Sequence, residues 1–178
     1  LKSGWIGTGP LVNKFENDFA IYKNVQYSQA VSSCTAALHL SLSSLDLKEN
    51  DEVITTSMTF CSTVNSIIHV GAKPVIVDID PLTLNIDVSQ IEKKINNKTK
   101  AIIPVHFAGN PCDMKEIVFL SKKYNLVIIE DCAHAIETEY EGKKAGTIGH
   151  FGCFSFYVTK NLVTAEGGMV LSKNKKIH

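Results

Sequence analysis

The sequence predicts an α/β fold in which a mainly parallel sheet lies between helices, in a three-layer αβα arrangement. Between residues 51 and 130, short apolar strands alternate with helices, and this alternation is typical of βαβ units. The strand at 126–130 opens with a wholly apolar run that stops at Glu130 and Asp131, as a strand buried on both faces does. Because ligands bind at the carboxyl ends of such strands, we expect both acids to face a cleft.

The remaining elements follow from the spacing of apolar residues and from the turn residues between them. Apolar residues on one helical face predict a helix over 11–22, and hydroxyl residues suited to an N-cap precede a helix over 34–42. Further helices are expected at 61–70, 87–95 and 113–124, and strands at 52–55, 73–78, 100–106, 126–130, 154–157 and 168–171. Four strand ends, at 55–60, 78–80, 106–109 and 131–134, are the expected ligand-binding segments.

Composition and motifs exclude several classes of function. The 178 residues carry 18 Lys plus Arg and 18 Asp plus Glu, so no net charge would attract nucleic acid or a membrane surface. Five widely spaced cysteines without a C-x-x-C pair argue against a disulfide framework or zinc site and suit a reducing cytosol. No G-x-G-x-x-G motif for nicotinamide binding follows a first strand, and no G-x-x-x-x-G-K-[ST] motif for ATP binding occurs in the sequence. We therefore expect a cytoplasmic protein without a metal, whose partners are small molecules or other subunits.

Two charged residues near strand ends indicate a particular cofactor. Asp131 ends its strand, and Lys160 lies between the strand at 154–157 and the glycine pair Gly167–Gly168. A covalent amine and a counter-charge for a ring nitrogen are what pyridoxal phosphate (PLP) needs. The hydroxyl-rich start of the helix at residue 34 would suit the phosphate group. Each residue alone has a plainer explanation, since most lysines are solvated and capping serines are common, but their order favours PLP.

Motifs along the whole chain occur in an order that is found in one enzyme family. They are Gly9 to Glu16, Thr35 to Leu38, Asp51 to Ile54, Gly71 to Val75, Ile103 to His106, Ile129 to Asp131, Phe151 to Phe156, Thr159 to Asn161 and Glu166 to Gly168. In these motifs the chain resembles the PLP-dependent sugar aminotransferases of the DegT/DnrJ/EryC1/StrS family, which are fold-type I PLP enzymes. The resemblance implies that residues 1–178 are the PLP-binding large domain.

The resemblance also bears on completeness, because the relatives are much longer and have a smaller C-terminal domain. The chain begins at Leu1 rather than Met, which fits a piece of a longer protein. We therefore expect the large domain to be incomplete, with the strand at 168–171 leaving a sheet edge uncovered.

By that resemblance, two residues would carry the chemistry. Lys160 would bind the cofactor covalently and transfer the proton, while Asp131 would keep the pyridine nitrogen protonated and make the ring an electron sink. The expected reaction converts a nucleotide-linked keto-sugar to an amino sugar, with an amino acid, expected to be glutamate, as donor. Its product would serve polysaccharide or lipopolysaccharide biosynthesis, and the expected assembly is a homodimer.

The same resemblance implies the remaining cofactor contacts. Ser155, Thr35 and the backbone of Ala36 would bind the phosphate at a helix N-terminus. Phe60 would lie over the face of the pyridine ring. His134 would hydrogen-bond the phenolic oxygen of the cofactor, a role that glutamine or histidine fills in relatives.

Some residues keep alternative interpretations. Cys34 stands where the family commonly has glycine, which makes a positive φ there less expected, and Tyr157 stands where histidine is frequent. His106 could contact substrate or simply end its strand. Cys132 with His134 could form a thiol nucleophile and its base, although the full PLP set argues against this.

Two other functions compete with the aminotransferase. In PLP-dependent sugar dehydratases a histidine replaces the covalent lysine, so the presence of Lys160 argues against that reaction. A truncated paralogue with a binding or regulatory role and no turnover is the other alternative, supported by the length of the chain. Absorbance would separate these functions, because a cofactor bound to Lys160 gives a yellow protein whose band shifts with glutamate.

Overall fold

A seven-stranded sheet forms the centre of the fold in the computed structural model, which describes residue 4 and residues 7–173. Helices α1 to α5 are Pro10–Lys23, Cys34–Ser43, Cys61–His69, Val88–Lys94 and Met114–Tyr124. Strands β1 to β9 are Tyr27–Val31, Glu52–Thr56, Lys73–Val77, Thr99–Ile102, Val127–Asp131, Glu139–Tyr140, Lys143–Lys144, Phe151–Ser155 and Gly168–Ser172. The bounds agree closely with most of the predicted elements, while β1 and the small hairpin of β6 and β7 were not predicted.

The sheet is mainly parallel, as the sequence predicts. Its strand order is β1-β9-β8-β5-β4-β2-β3. Neighbours from β8 to β3 pair in parallel, whereas β9 is antiparallel to both β8 and β1. The expectation that the strand at 168–171 leaves an edge uncovered is therefore wrong, because β9 is paired on both sides and the edges are β1 and β3.

Side chains that alternate along the central strands pack against helices on opposite faces, which confirms the three-layer αβα arrangement. On one face Ile129 packs in a core cluster with Leu38 of α2 and Ile67 of α3. On the other face Ile128 packs in a cluster with residues of α4 and α5, including Ile117, and α1 covers the part of the sheet nearer β9. Each fully buried side chain of this kind stabilises the fold by about 1.5–3 kcal/mol.

Local chemistry explains where several elements begin and end. Asp87 and Asp113 cap α4 and α5, where their side chains accept hydrogen bonds from first-turn amides. Gly71, with φ +80°, follows α3 in the left-handed conformation that terminates helices. β4 ends at Ile102 rather than at residue 106, because Pro104 has no N–H to continue the ladder. Within the described residues, none of the helices is long and apolar enough to cross a membrane.

Candidate active site

A cleft of about 730 Å³ lies at the carboxyl ends of the central strands, beside the N-terminal ends of α2 and α3. The segments that follow β2, β4, β5 and β8 form its walls. All of the predicted site residues except Ala36 line the cleft, namely Thr35, Phe60, Asp131, His134, Ser155 and Lys160. Residues 78–80, the other predicted strand end, do not line it, because β3 lies at the edge of the sheet.

Asp131 places a buried carboxylate at the floor of the cleft. Its side chain is 4% exposed and lies on the sheet face that α2 and α3 cover. Oδ2 accepts a 2.8 Å hydrogen bond from Thr63 Oγ1, Oδ1 accepts one of 3.1 Å from the amide of Ala133, and Cys34 Sγ lies 3.9 Å from Oδ1. None of the lysines in the described part of the chain forms an ion pair with it. A buried carboxylate with only neutral donors is suited to a cationic ligand group.

Glu130 does not face the cleft, which corrects the expectation for this acid. Neighbouring residues of a strand point to opposite faces, so Glu130 lies on the other side of the sheet from Asp131. It is fully buried, and its carboxylate accepts hydrogen bonds from the amides of Gly146, Ile148 and Gly149 and contacts His106 Nε2 at 3.0 Å. Burial opposes its ionisation, but the hydrogen bond from His106 and those from the amides lower the pKa of Glu130. This acid holds the segment at 146–149 in place.

His106 is held by the protein through both ring nitrogens. Nδ1 accepts the amide hydrogen of Cys112 at 3.1 Å and Nε2 faces Glu130, so the ring carries its proton on Nε2. With 1% of its surface exposed, His106 has a structural role and no nitrogen left for substrate. Together with Cys132 these side chains bring potential metal ligands within 4.8 Å of one another. The ring nitrogens and the Glu130 oxygens already have hydrogen-bond partners, so the group is satisfied without an ion.

Cys132 does not support the thiol-nucleophile alternative. Its side chain is 1% exposed and lies in a group with His106 and Glu130. Burial raises the pKa of Cys132 to about 11, and a protonated buried thiol is a poor nucleophile.

The start of α2 can bind an anion. Ser33 caps the helix by accepting the amide hydrogen of Ala36 at 3.1 Å. The amides of Cys34 and Thr35 have no hydrogen-bond partner within residues 7–173, and both residues line the cleft. The predicted use of the Ala36 amide is therefore not what the geometry favours, because that N–H is taken by Ser33 and Ala36 lies outside the cleft wall.

A close approach of β9 to α2 brings the helix start into position. A Cβ on Gly168 would lie 2.4 Å from the carbonyl carbon of Ser33 and 2.7 Å from the amide nitrogen of Cys34. Only glycine fits at that distance. Cys34 begins the helix without a positive φ, as expected from its side chain. Its burial, and to a lesser extent the negative charge of Asp131, raise the pKa of its thiol.

Lys160 lies in the loop after β8 and is half-buried. Its amide donates to the carbonyl of Tyr157 at 2.9 Å, whereas its side-chain nitrogen has neither a hydrogen bond nor an ion pair within the described chain. Ser155 is at the end of β8, where its hydroxyl accepts a long hydrogen bond of 3.4 Å from the amide of Tyr157. The Tyr157 side chain is 45% exposed on the cleft wall, and no contact assigns it a role.

The rings of Phe60 and His134 both line the cleft. Phe60, the N-cap residue of α3, is 76% exposed and lines the cleft, so its ring is accessible to a ligand there. His134 packs edge-on against Phe107 with 6.4 Å between ring centroids. Partial burial, and then the positive charge of Lys160, lower the pKa of His134, so the neutral imidazole predominates near pH 7. Such a ring can donate or accept a hydrogen bond.

Sequence reasoning missed Thr63 and Thr59. Thr63 is fully buried and bonded to Asp131, while Thr59 lies beside it on the cleft wall. A hydroxyl in the first turn of a helix that follows a strand end is the signal that could have indicated Thr63, whereas Thr59 precedes that helix.

These groups fit a phosphorylated pyridine cofactor. A free amine, a buried carboxylate, an exposed aromatic ring and unpaired helix amides share one cleft, and each matches one part of PLP. The fold and the cleft thus define a class, the α/β enzymes that use such a cofactor at the carboxyl ends of their strands. The model of the DegT/DnrJ/EryC1/StrS aminotransferase family matches residues 1–178, so the chain belongs to that family and the resemblance is confirmed.

Individual known proteins are similar to this chain in sequence and in structure. The chain is 49% identical to GDP-perosamine synthase of Escherichia coli O157:H7, covering 100% of this chain and 49% of the relative. It is 47% identical to the spore coat polysaccharide biosynthesis protein SpsC of Bacillus subtilis, over 99% of this chain and 46% of that protein. The structure of Spr1654 from Streptococcus pneumoniae in its PLP form has 38% identity and a TM-score of 0.91, covering 99% and 49% of the two chains. The chain thus spans about half the length of the curated relatives it matches.

Proposed function

We propose that this protein is a PLP-dependent aminotransferase that converts a nucleotide-linked keto-sugar to an amino sugar, with an amino acid such as glutamate as donor. The observation that carries the proposal is the pairing, in one cleft, of the free Lys160 amine with the buried carboxylate of Asp131. Membership of the DegT/DnrJ/EryC1/StrS aminotransferase family supports it.

Each residue has a defined task in this proposal. Bound PLP would supply a reactive aldehyde and an electron-withdrawing ring. Lys160 would hold the cofactor through its side-chain amine, and once the amine of the donor amino acid had taken its place, the freed lysine would be the base that moves the Cα proton. Asp131 would provide the counter-charge that keeps the ring nitrogen protonated. Phe60 would lie over one face of the ring, and His134 would hydrogen-bond its phenolic oxygen.

The phosphate site uses the start of α2. The amides of Cys34 and Thr35 point out of the helix, and the hydroxyls of Thr35 and Ser155 add donors on the same wall of the cleft. The helix dipole favours an anion at this end.

The choice of substrate follows from the relatives. GDP-perosamine synthase is named for a product that carries both a nucleotide and an amino sugar, and SpsC for spore coat polysaccharide biosynthesis. We include in the proposal a nucleotide-linked keto-sugar as substrate and a role in surface polysaccharide or lipopolysaccharide biosynthesis. Lys160 favours transamination over the sugar dehydratase reaction, in which a histidine takes the place of the lysine.

The proposal treats residues 1–178 as the PLP-binding large domain of a longer enzyme, because the curated relatives are about twice as long. It includes a homodimer in the cytoplasm, for which the free state of all cysteines in the described residues is suitable. Complete turnover would then need the rest of the protein, which closes over the substrate and excludes water. If this chain and the longer protein had equal kcat, the large domain would be the whole enzyme.

The test is a PLP titration of the purified protein followed by visible absorbance. We expect a yellow complex whose band shifts with glutamate as 2-oxoglutarate forms, and a panel of nucleotide keto-sugars then identifies the amine acceptor. Lys160→Ala should abolish both the band and the half-reaction, whereas Lys14→Ala, a change at an exposed lysine of α1, should alter neither. If Lys160→Ala converted glutamate at the wild-type rate, the assignment of Lys160 would fall. PLP binding without amine transfer would favour the non-catalytic paralogue.

A further inference from the structure

Two threonine hydroxyls connect the cleft with the buried carboxylate of Asp131. Thr63, in the first turn of α3, is fully buried, and its Oγ1 lies 2.8 Å from Asp131 Oδ2. Thr59 lines the cleft, and its hydroxyl lies 2.7 Å from that of Thr63. Neither threonine is among the residues that the family resemblance assigns to the site.

The direction of the hydrogen bonds in this pair follows from the groups involved. An ionised carboxylate has no hydrogen to donate, so the single hydroxyl hydrogen of Thr63 points to Asp131. Thr63 is then the acceptor in its contact with Thr59, and Thr59 is the donor. The two bonds therefore run one way, from the cleft wall to Oδ2 of Asp131.

Both oxygens of Asp131 are thus fixed from the protein side, Oδ2 by Thr63 and Oδ1 by the amide of Ala133. We infer that Thr63 is a positioning residue, which holds Asp131 in the orientation that meets a protonated ring nitrogen, and that Thr59 supports it. This inference rests on the proposed function, because the orientation of Asp131 matters to a cofactor only if a cationic ring binds there. Thr63 acts through Asp131 and does not touch the cofactor.

The test compares Thr63→Val, Thr63→Ser and Thr59→Val with wild type in the holoenzyme. The control is Thr56→Val, because Thr56 is also fully buried but its hydroxyl has no hydrogen-bond partner among the residues that the structure describes. The measurements are the Kd for PLP by equilibrium dialysis and the pH midpoint of the visible band of the bound cofactor. We expect Thr63→Val to weaken PLP binding about tenfold, since a hydrogen bond to a charged group is lost, and to shift the pH midpoint.

The variants separate positioning from a general effect on stability. Thr63→Ser keeps the hydroxyl and should restore both values, Thr59→Val should show a smaller shift in the same direction, and Thr56→Val should match wild type. A wild-type Kd and pH midpoint in Thr63→Val would overturn the inference and leave the proposed function intact. If Thr63→Val does not fold, unchanged values in Thr59→Val would overturn it. A wild-type protein that binds no PLP would overturn the proposed function and this inference with it.

Discussion

Replacing Glu130 by glutamine should destabilise the fold strongly although the side chain keeps its size. Oε1 accepts hydrogen bonds from the amides of Ile148 and Gly149, and Oε2 contacts the amide of Gly146 and His106 Nε2. A glutamine amide retains one of the two oxygens, so in either orientation an NH₂ group would face two donors. Each hydrogen bond to a charged group contributes about 1.5–3 kcal/mol, so losing two costs about 4 kcal/mol, a large part of the usual 5–15 kcal/mol of total stability.

Urea denaturation at pH 7 measures this effect directly. With a typical m-value of about 2 kcal/mol per M, the midpoint should fall by about 2 M. Glu92→Gln is the control, because Glu92 accepts bonds from Lys123 and Tyr124 on the exposed surface, where solvent screening leaves such pairs little effect on stability. Since the pKa of Glu130 is lowered in the folded state, wild type should lose this stabilisation as the pH falls through that pKa, and Glu130→Gln should not. Urea midpoints of wild type and Glu130→Gln that lie within about 0.3 M of each other would refute the anchoring role of Glu130.

Three further predictions concern other parts of the chain. Asp131→Asn in the full enzyme should slow amine transfer by orders of magnitude even with PLP bound, because a neutral amide cannot keep the ring nitrogen protonated; unchanged kcat would make Asp131 structural. Burial lowers the pKa of Lys23 from 10.5 to about 8, so the unfolded chain binds more protons between these values and stability rises with pH. Relative to Lys23→Met, the free energy of unfolding of wild type, measured by urea denaturation, should rise by about 2 kcal/mol between about pH 7 and 9.5. The same pH dependence of this free energy in both proteins would contradict the prediction. Gly168→Ala should cost about 1–3 kcal/mol and weaken PLP binding, because its methyl group would meet the backbone of Ser33. Gly7→Ala, whose new Cβ has no atom of the described residues within 4 Å, should do neither.

The order of helices and strands could be predicted because it depends on local signals. Asp87, Asp113 and Gly71 mark helix ends through contacts within a few residues, and each occupies its predicted place. β1 could not be predicted in this way. Its five residues mix polar and apolar types, and it is held by β9, which comes from the far end of the described chain. Pairing over such a separation leaves no mark on the local pattern.

The two acids after the apolar run show where the sequence was informative and where it was not. The run predicted a buried strand correctly, and the two acids lie at the carboxyl end of that strand, as expected. Their environments differ because a strand alternates its side chains, so Asp131 reaches the cleft and Glu130 reaches the opposite face. Which acid belongs to which face depends on the helices that cover each side. Sequence alone could assign Asp131 only through the family motif.

Ala36 shows a different limit, because its predicted role depended on where one hydrogen atom points. The motif places it at the right helix, but Ser33 precedes it at capping distance and takes its amide hydrogen. A serine N-cap satisfies the amide of the third helical residue, so the amides left for an anion are those of the first two, Cys34 and Thr35. The proposed phosphate site therefore uses the amides of Cys34 and Thr35, one residue nearer the helix start than predicted. Gly168 makes that start reachable from the cleft, since any side chain there would push β9 away from Ser33. Gly168 and Ser33 thus act together. The glycine sets the distance between β9 and the start of α2, and the serine leaves the amides of Cys34 and Thr35 free for an anion.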